Sequence, residues 1–325
     1  MPGASHTRSH GLATGSVDSH SREREEEQGM GMQVGVIGLG NMGGNMAITL
    51  ARKGVSVIGL DPSSAACERV AAQGVAIAGD LAALTAASEV IVLSLPKAEH
   101  VEAVCLGEAG LVGQVRPGTV VVDTTTSTPE TSRRMAAAFA EVGADFLDAP
   151  VSGGPAGAAA GTMTMVIGGS DAALAKALPA LEAMSATRVH IGAVGAGNIA
   201  KIANNLLAAA HLITTAEAVT LAARAGVAPE KLIEGINAGS GRSAASQGMF
   251  PTWVLNKAYD SGFTMGLMRK DVGLARDLIA ELGLELPLAA ATAQAWAASA
   301  ETLADGEDFC AIARRTSEDL FGKGE

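Results

Sequence analysis

Aromatic side chains are scarce in this 325-residue chain, at 3% of the sequence, although 48% of its residues are hydrophobic. Small aliphatic side chains and methionine must therefore fill the interior, which allows helices to pack closely. Charged residues make up only 18% of the sequence. This composition is typical of a soluble globular protein, and the length predicts about two domains.

Cysteine is also scarce, and histidine does not cluster. Cys67, Cys105 and Cys310 are far apart and form no CxxC pair, which argues against a zinc site and a disulfide framework. Three of the six histidines lie near the N-terminus and the others are isolated. The sequence therefore predicts no metal site, no Ser/His/Asp triad and a reducing compartment.

Positive charge is in deficit, because the formal net charge is −11. A nucleic-acid partner would need a basic surface, so the net charge argues against one and we expect none. We find no apolar run of membrane-spanning length, and residues 1–31 lack the apolar core of a secretory signal. We expect a disordered tail over residues 1–31, a cytoplasmic protein and no membrane partner.

A glycine pattern stands between a strand-like and a helix-like segment at residues 34–53, VGVIGLGNMGGNMAITLARK. The first glycine would allow a tight turn, the second a close approach to a pyrophosphate, and the third close packing of helix on strand. The phosphates would then meet the free N–H groups at the start of the helix. The predicted cofactor contacts are Gly38, Leu39, Gly40, Asn41, Met42 and Gly43.

A second strand-like segment, residues 55–60, ends at Asp61, which lies 21 residues beyond Gly40. An acidic side chain at this point can accept hydrogen bonds from both ribose hydroxyls of a dinucleotide, and it would repel a 2′-phosphate. The pattern therefore favours NAD over NADP as the cofactor.

Helix-like and strand-like segments alternate from Asp61 to Val122, which predicts right-handed βαβ units and a parallel sheet. Two of the strands end at Leu95-Pro96 and at a hydroxyl-rich run, residues 123–128. Ligands bind at this edge of such sheets. From the residues alone, the hydroxyls there are equally suited to contacting a cofactor and to capping a helix.

A glycine-rich turn, Ser152-Gly153-Gly154, follows another strand-like segment at residues 145–147. It offers a hydroxyl and unobstructed N–H groups that suit a carboxylate. A simple connecting loop explains the same residues equally well.

The longest helical pattern runs from Ala196 to Ala225 and is apolar on most faces, which predicts a buried central helix. Lys201 and Asn205 are four residues apart and share one face of it. Burial would lower the pKa of the lysine towards neutral pH, so that its amine can exchange protons. The alternative is a lysine that extends from the helix end to solvent.

Four motifs stand in the order found in the β-hydroxyacid dehydrogenases, and the chain resembles the 3-hydroxyisobutyrate dehydrogenase branch. That branch also holds tartronate-semialdehyde reductase, 2-(hydroxymethyl)glutarate dehydrogenase and L-threonate dehydrogenase. The resemblance covers about residues 33 to 315. The motifs are residues 38–43 (GLGNMG), 148–154 (DAPVSGG), 195–205 (GAGNIAKIANN) and 269–271 (RKD).

The resemblance implies an α/β Rossmann domain over residues 32–193 and an all-α, 6-phosphogluconate dehydrogenase-like C-terminal domain over residues 194–325. It also implies a homodimer or homotetramer. Lys201 would be the catalytic acid/base, and Asn205 with Ser152, Gly153 and Gly154 would hold a substrate carboxylate. Leu95, Pro96, Thr126 and Lys270 would contact the cofactor. Residues 123–126, DTTT, depart from the commoner Asp-x-Ser-Thr. Threonine in place of serine keeps the hydroxyl, so the departure affects only its fine positioning.

The predicted function is NAD-dependent interconversion of a small 3-hydroxy acid with its semialdehyde or ketone. A nearby alternative is another substrate of the family, such as L-threonate or tartronate semialdehyde. A different class of alternative is a non-catalytic dinucleotide-binding sensor. Lys201 separates the two classes, because a sensor has no use for a buried lysine that faces the carboxylate turn.

Overall fold

The computed structural model describes residues 31–322 and consists of a sheet region followed by a helical region. The predicted tail, apart from Gly31, lies outside the described residues. The strands are β1 (Gln33–Ile37), β2 (Ser56–Leu60), β3 (Ala76–Ile77), β4 (Val90–Leu93), β5 (Val120–Asp123), β6 (Asp145–Asp148), β7 (Val151–Ser152), β8 (Met163–Gly168) and β9 (Ser185–Gly192).

Helices separate most of these strands, and the chain after β9 is mainly helical. The α-helices are α1 (Asn41–Arg52), α2 (Ser64–Ala71), α3 (Leu81–Ala87), α4 (Ala98–Leu106), α5 (Pro129–Glu141), α6 (Gly154–Ala160), α7 (Asp171–Met184), α8 (Ala196–Arg224), α9 (Pro229–Ala238), α10 (Met265–Glu281), α11 (Pro287–Ala298) and α12 (Glu318–Phe321). A π-helix spans Ala245–Val254, and short 3-10 helices span Leu111–Gly113, Ser299–Glu301 and Phe309–Arg315.

The first six strands form the predicted doubly wound sheet, in the order β3-β2-β1-β4-β5-β6, with all neighbours parallel. β4 and β5 are buried along their whole length. Alternate residues of these strands join two separate core clusters, one with α1 and α7 and the other with α3, α4 and α5. The prediction of a Rossmann domain is confirmed, and Asp148 at the carboxyl end of β6 bonds to N–H groups at the start of α8.

The parallel sheet predicted for residues 61–122 is confirmed, whereas the last strands, for which no direction was predicted, are arranged differently. β8 runs antiparallel to β6 and β7, and β9 then pairs parallel with β8 at the end of the sheet. The connection between β7 and β8, residues 153–162, is shorter than the dozen or so residues that a crossover to a parallel strand needs. The chain therefore turns back on itself at the glycine-rich segment.

The long helix α8 was expected to be buried on most faces, and this is correct for one side only. Its inner side includes Leu212 and Ala216, which join a core cluster with Trp296 and Phe250. On its outer side, Leu207 is 57% exposed and Leu221 is 75% exposed. The rest of the described chain therefore does not cover this apolar face of α8.

The expectation that no apolar run reaches membrane-spanning length is also wrong. α8 is long and apolar enough to cross a membrane by its length and composition. Within the described residues it packs against β8, α9, α10 and α11. A core helix of a globular domain meets the same length and composition criteria.

The C-terminal region is helical, as predicted, but two of its elements differ from the sequence pattern. The π-helix at Ala245–Val254 was not predicted. α10 begins at Met265, where Thr264 accepts the N–H of Leu267, although the helical pattern of the sequence runs only from Val272 to Leu282. Lys270 and Asp271 therefore lie on a helix. The predicted division between residues 193 and 194 falls between β9 and α8 and remains a prediction.

Candidate active site

The glycine-rich segment forms a tight turn between β1 and α1. Gly38 has φ of +89°, which a side chain would strain, and a Cβ on Gly43 would lie 1.9 Å from the Gly38 carbonyl oxygen. In front of Gly40, by contrast, no heavy atom of the described residues lies within 4 Å of the position that a Cβ would take. These glycines therefore have the spacing and the space that a dinucleotide pyrophosphate requires.

The start of α1 supplies donors for such a ligand. The helix begins at Asn41 with Gly40 as its N-cap, so no side chain caps the first N–H groups. Leu39 is buried, and Met42 is half-buried against the core. The structure thus brings all six predicted residues of the turn together, and their role as cofactor contacts remains a prediction.

Asp61 lies at the end of β2, beside the same turn. Its Oδ2 accepts the N–H of Leu39 at 2.6 Å, and its Oδ1 accepts the N–H of Ser63 at 2.8 Å. A carboxylate oxygen has two lone pairs, so both oxygens can still accept a ribose hydroxyl. Asp61 therefore holds the turn in place as well as occupying the position predicted for ribose recognition.

The ends of β4 and β5 are joined by side chains. The N–H of Leu95 donates to Thr125 Oγ1 at 3.1 Å. Lys270 reaches from α10 and donates through Nζ to the carbonyl oxygen of Thr126 at 3.1 Å. Leu95 is half-buried and Pro96 is exposed at this edge. The predicted cofactor contacts beyond the glycine turn therefore border the region where α10 meets the sheet.

The predicted acid/base lysine meets the predicted carboxylate turn. Lys201 Nζ donates to Ser152 Oγ at 2.9 Å, and the lysine side chain is only 9% exposed. The next two residues, Gly153 and Gly154, have φ of +122° and +61°, a conformation that favours glycine. The extended lysine on the solvent side of the helix is therefore excluded, and α8 and the β7–α6 turn form one site.

The surroundings of Lys201 favour its neutral amine. Burial lowers the pKa of the lysine from its usual value, Asp271 opposes this by raising the pKa, and Lys270 lowers it further. A lowered pKa places proton exchange closer to neutral pH. The role of Lys201 as an acid/base group remains a prediction, and the direction of this shift is compatible with it.

Asn205 lies one turn after Lys201 and bonds to protein groups. Its Nδ2 donates to Asp271 Oδ2 at 2.6 Å, and its Oδ1 accepts from Asn204 Nδ2 at 3.0 Å. Asp271 Oδ1 lies 3.1 Å from Lys270 Nζ. One amide hydrogen of Asn205 is left for a ligand, so its predicted role in holding a carboxylate is compatible with this network.

The start of α8 is attached to the sheet beneath the site. Asp148 Oδ1 accepts the N–H of Gly195 and Oδ2 accepts the N–H of Asn198, both at 2.7 Å. Asn198 in turn accepts the N–H of Ser127 at 2.9 Å and donates to Ser132 Oγ at 3.0 Å. These buried bonds fix the helix that carries Lys201 relative to the strand ends.

Sequence reasoning gave no role to Asp271 and Asn198. Both are buried polar residues on helices, at 2% and 0% exposure, and only Asn198 lies on a largely apolar helix. A polar residue in such a helix is a signal that a partner exists. The partner of each lies on another element, however, and one sequence does not identify it.

Two family models match the chain. The model described as the NAD-binding domain of 6-phosphogluconate dehydrogenase matches residues 33–202. The model described as the NAD-binding domain of NADP-dependent 3-hydroxyisobutyrate dehydrogenase matches residues 195–316. Together they span the sheet region and most of the helical region.

Characterised relatives match over most of their length. The chain is 38% identical to 2-(hydroxymethyl)glutarate dehydrogenase of Eubacterium barkeri, over 86% of this chain and 93% of that protein. It is 38% identical to NAD-dependent L-serine dehydrogenase of Pseudomonas aeruginosa, over 75% of this chain and 84% of that protein. The structure of Mycobacterium tuberculosis 3-hydroxyisobutyrate dehydrogenase with L-serine superimposes with a TM-score of 0.82 at 34% identity, covering 88% of this chain and 99% of that chain. This chain therefore belongs to the β-hydroxyacid dehydrogenase family, in its 3-hydroxyisobutyrate dehydrogenase-like branch, and is an NAD-dependent oxidoreductase of hydroxy acids.

Proposed function

We propose that this enzyme oxidises the primary alcohol of a short 3-hydroxy acid to the semialdehyde, with Lys201 as the base that removes the hydroxyl proton. The observation that carries the proposal is the 2.9 Å contact between Lys201 Nζ and Ser152 Oγ. It brings a buried amine to a turn whose glycines leave its N–H groups accessible to a carboxylate. The two groups are close enough to act on one small substrate.

The names of the relatives narrow the substrate class. 3-Hydroxyisobutyrate, L-serine and 2-(hydroxymethyl)glutarate are the compounds in the names of three matching proteins. All three compounds carry a CH₂OH group on the carbon next to a carboxylate, and they differ in the third substituent of that carbon. We therefore propose that the carboxylate and the CH₂OH group are recognised at the Ser152 to Gly154 turn and Lys201, and that the remaining pocket selects the substituent.

The proton transfer uses groups of this chain. The neutral amine of Lys201 accepts the hydroxyl proton as the carbon becomes a carbonyl, and the ammonium returns it in the reverse reaction. Ser152 and Asn205 orient the substrate carboxylate so that the hydroxyl group of the substrate faces Lys201 Nζ. Bound NAD supplies the hydride acceptor, and residues 38–43 with Asp61 would hold it.

A substrate screen tests the proposal. Purified enzyme with NAD is offered 3-hydroxyisobutyrate, L-serine and 2-(hydroxymethyl)glutarate, together with their methyl esters and the secondary alcohol 3-hydroxybutyrate. We expect NADH formation with at least one free acid, and much lower kcat/KM with its ester, because the ester lacks the charge that the turn would hold. Equal turnover of acid and ester would place recognition elsewhere. NAD binding without turnover of any hydroxy acid would favour the sensor.

We also propose a cytoplasmic homodimer or homotetramer that associates through the helical region. The support is apolar surface that the single chain leaves uncovered, at Leu207 and Leu221 of α8 and at Leu288 of α11, which is 85% exposed. Light scattering coupled to gel filtration tests this, with Leu207→Glu and Leu288→Glu expected to shift the mass towards the monomer. A wild-type monomer would refute it.

A further inference from the structure

An arginine on α2 contacts the dinucleotide turn from the side opposite its N–H groups. Arg69 Nη2 donates to the carbonyl oxygen of Leu39 at 2.5 Å and to that of Gly40 at 3.0 Å. The glycine fingerprint does not include this residue, and the sequence between Asp61 and Ser64 contains no arginine. The contact exists because α2 packs beside α1.

The turn is held from both sides by the same β2–α2 segment. The N–H of Leu39 donates to Asp61 Oδ2 at 2.6 Å, while its carbonyl oxygen accepts from Arg69. The N–H of Gly38 donates to the carbonyl oxygen of Leu60 at 2.9 Å. The Asp61 carboxylate therefore holds the N–H of Leu39, and the Arg69 guanidinium holds its carbonyl oxygen.

A fourth glycine makes room for this arginine. Gly44 follows the third glycine of the pattern, and a Cβ on it would lie 2.5 Å from Arg69 Nη2 and 2.7 Å from the Leu39 carbonyl oxygen. The pyrophosphate does not require this glycine, because the fingerprint ends at Gly43. Glycine at this position therefore lets both the backbone of the turn and the guanidinium lie against α1.

Holding the carbonyl groups aims the N–H groups. In a trans peptide the C=O and the following N–H point in opposite directions. Arg69 holds the Leu39 carbonyl, and Arg69 together with the N–H of Gly44 holds the Gly40 carbonyl, so the N–H groups of Gly40 and Asn41 point to the opposite side, towards the start of α1. These are the donors that a pyrophosphate would meet there.

We propose that Arg69 is a positioning residue for NAD, which acts by orienting the peptide groups of the phosphate-binding turn before the cofactor arrives. The inference rests on the proposed role of residues 38–43 in holding NAD. A preorganised turn loses less freedom on binding, so Arg69 should contribute to NAD affinity and not to the chemical step.

The test compares Arg69→Gln with Arg52→Gln. Arg52 is an exposed arginine at the last turn of α1 that bonds to Gln73, so both variants remove one positive charge from the same domain. Calorimetry would measure the Kd of NAD and of ADP-ribose, and thermal denaturation would check folding. We expect Arg69→Gln to raise both Kd values about tenfold. Arg52→Gln should leave them within about twofold of the wild type, and kcat at saturating NAD should change little in either.

Three results would overturn the proposal. The first is equal NAD affinity in the two variants. The second is a much larger loss for NADP than for NAD, which would make Arg69 a ligand of the 2′-phosphate. The third is a fall in kcat at saturating NAD that matches the change in Kd. If Arg69→Gln does not fold, Arg69→Lys decides: it keeps the positive charge but loses the guanidinium fork that reaches both carbonyl oxygens, so the Kd of NAD should still rise, and a Kd equal to that of Arg52→Gln would overturn the proposal. Failure of the wild type to bind NAD would contradict the proposed function instead.

Discussion

Asn205 Nδ2 donates to Asp271 Oδ2 across 2.6 Å, and this bond links the helix that carries the site lysine to the helix that carries Lys270. Asp271 is buried, and its charge raises the pKa of Lys201 against the larger effect of burial. The contact between α8 and α10 therefore places a carboxylate where it raises the pKa of the lysine. The charge of a carboxylate outside the predicted substrate turn thus opposes the effect of burial on the pKa of Lys201.

Replacing Asp271 with asparagine should move the pH profile of oxidation to lower pH. The substitution removes the charge that raises the pKa of Lys201, while its amide keeps an oxygen for Asn205. Oxidation needs the neutral amine, so kcat/KM rises as pH increases through the pKa of Lys201. A lower pKa moves that rise to lower pH.

The measurement is kcat/KM against pH from neutral to alkaline values. Asp277→Asn is the matched control, because Asp277 is an exposed carboxylate on the same helix. If the pH midpoint of the rise in kcat/KM for Asp271→Asn equals that of the wild type, or lies at higher pH, Asp271 does not raise the pKa of Lys201.

Removing the amine of Lys201 should slow the reaction without weakening NAD binding. Lys201→Ala should lower kcat by about 100-fold to 10,000-fold, the range that follows loss of an acid/base group. Lys201→Arg should not restore the rate, because guanidinium keeps its proton at working pH. Stopped-flow or steady-state assays measure kcat, and calorimetry measures the Kd of NAD. Lys231→Ala, at an exposed lysine, is the control. A folded Lys201→Ala enzyme with near-wild-type kcat would rule out this mechanism.

Asp61 should make the enzyme prefer NAD over NADP. Its carboxylate lies at the turn, where it would repel a 2′-phosphate. Asp61→Asn removes the charge and keeps an acceptor oxygen, so the ratio of kcat/KM for NAD to that for NADP should fall. Steady-state kinetics with both cofactors give the ratio. A wild type that uses NADP at least as well as NAD would show that the assignment is wrong.

The parts of the fold that the sequence predicts are those set by short-range patterns. The glycine turn, Asp61 after β2 and the start of α8 at Ala196 follow from local spacing and helix signals. The direction of β8 does not, because pairing depends on which neighbour the chain meets after its turn. The sequence does not predict the exposed face of α8 either, because an alanine-rich helix has the same pattern whether its own chain or another surface covers it.

The site shows the same division between local and long-range information. Lys201 and Asn205 are recognisable because they share a helix face four residues apart. Asp271 bonds to a residue 66 positions earlier, and Arg69 contacts a turn about 30 positions earlier. No local period encodes such contacts. They arise when separate elements pack, so the motif at residues 269–271 includes Asp271 without indicating its partner.

The final prediction concerns two carboxylates beneath the site. Asp123 and Asp148 are partners in register at the ends of β5 and β6, and both are buried. Burial raises the pKa of Asp123 to about 7 and that of Asp148 to about 6, although hydrogen bonds to the carboxylates oppose the shift. Near neutral pH this pair is therefore partly protonated in the folded protein.

The sign of the pH effect follows from the raised pKa of Asp123. The unfolded chain releases this proton near the usual pKa of 3.8, whereas the folded protein keeps it up to about pH 7. The folded state therefore binds more protons in that window, and the free energy of unfolding falls as pH rises through it.

Asp123→Asn abolishes the titration and keeps an oxygen for the N–H of Thr125. The Tm of the variant relative to the wild type should thus be higher at about pH 8 than at about pH 5. Asp145→Asn, at an exposed carboxylate on β6, serves as the control and should show no such trend. A Tm difference for Asp123→Asn that is independent of pH, or greater in acid, would mean that Asp123 is already ionised when the chain folds.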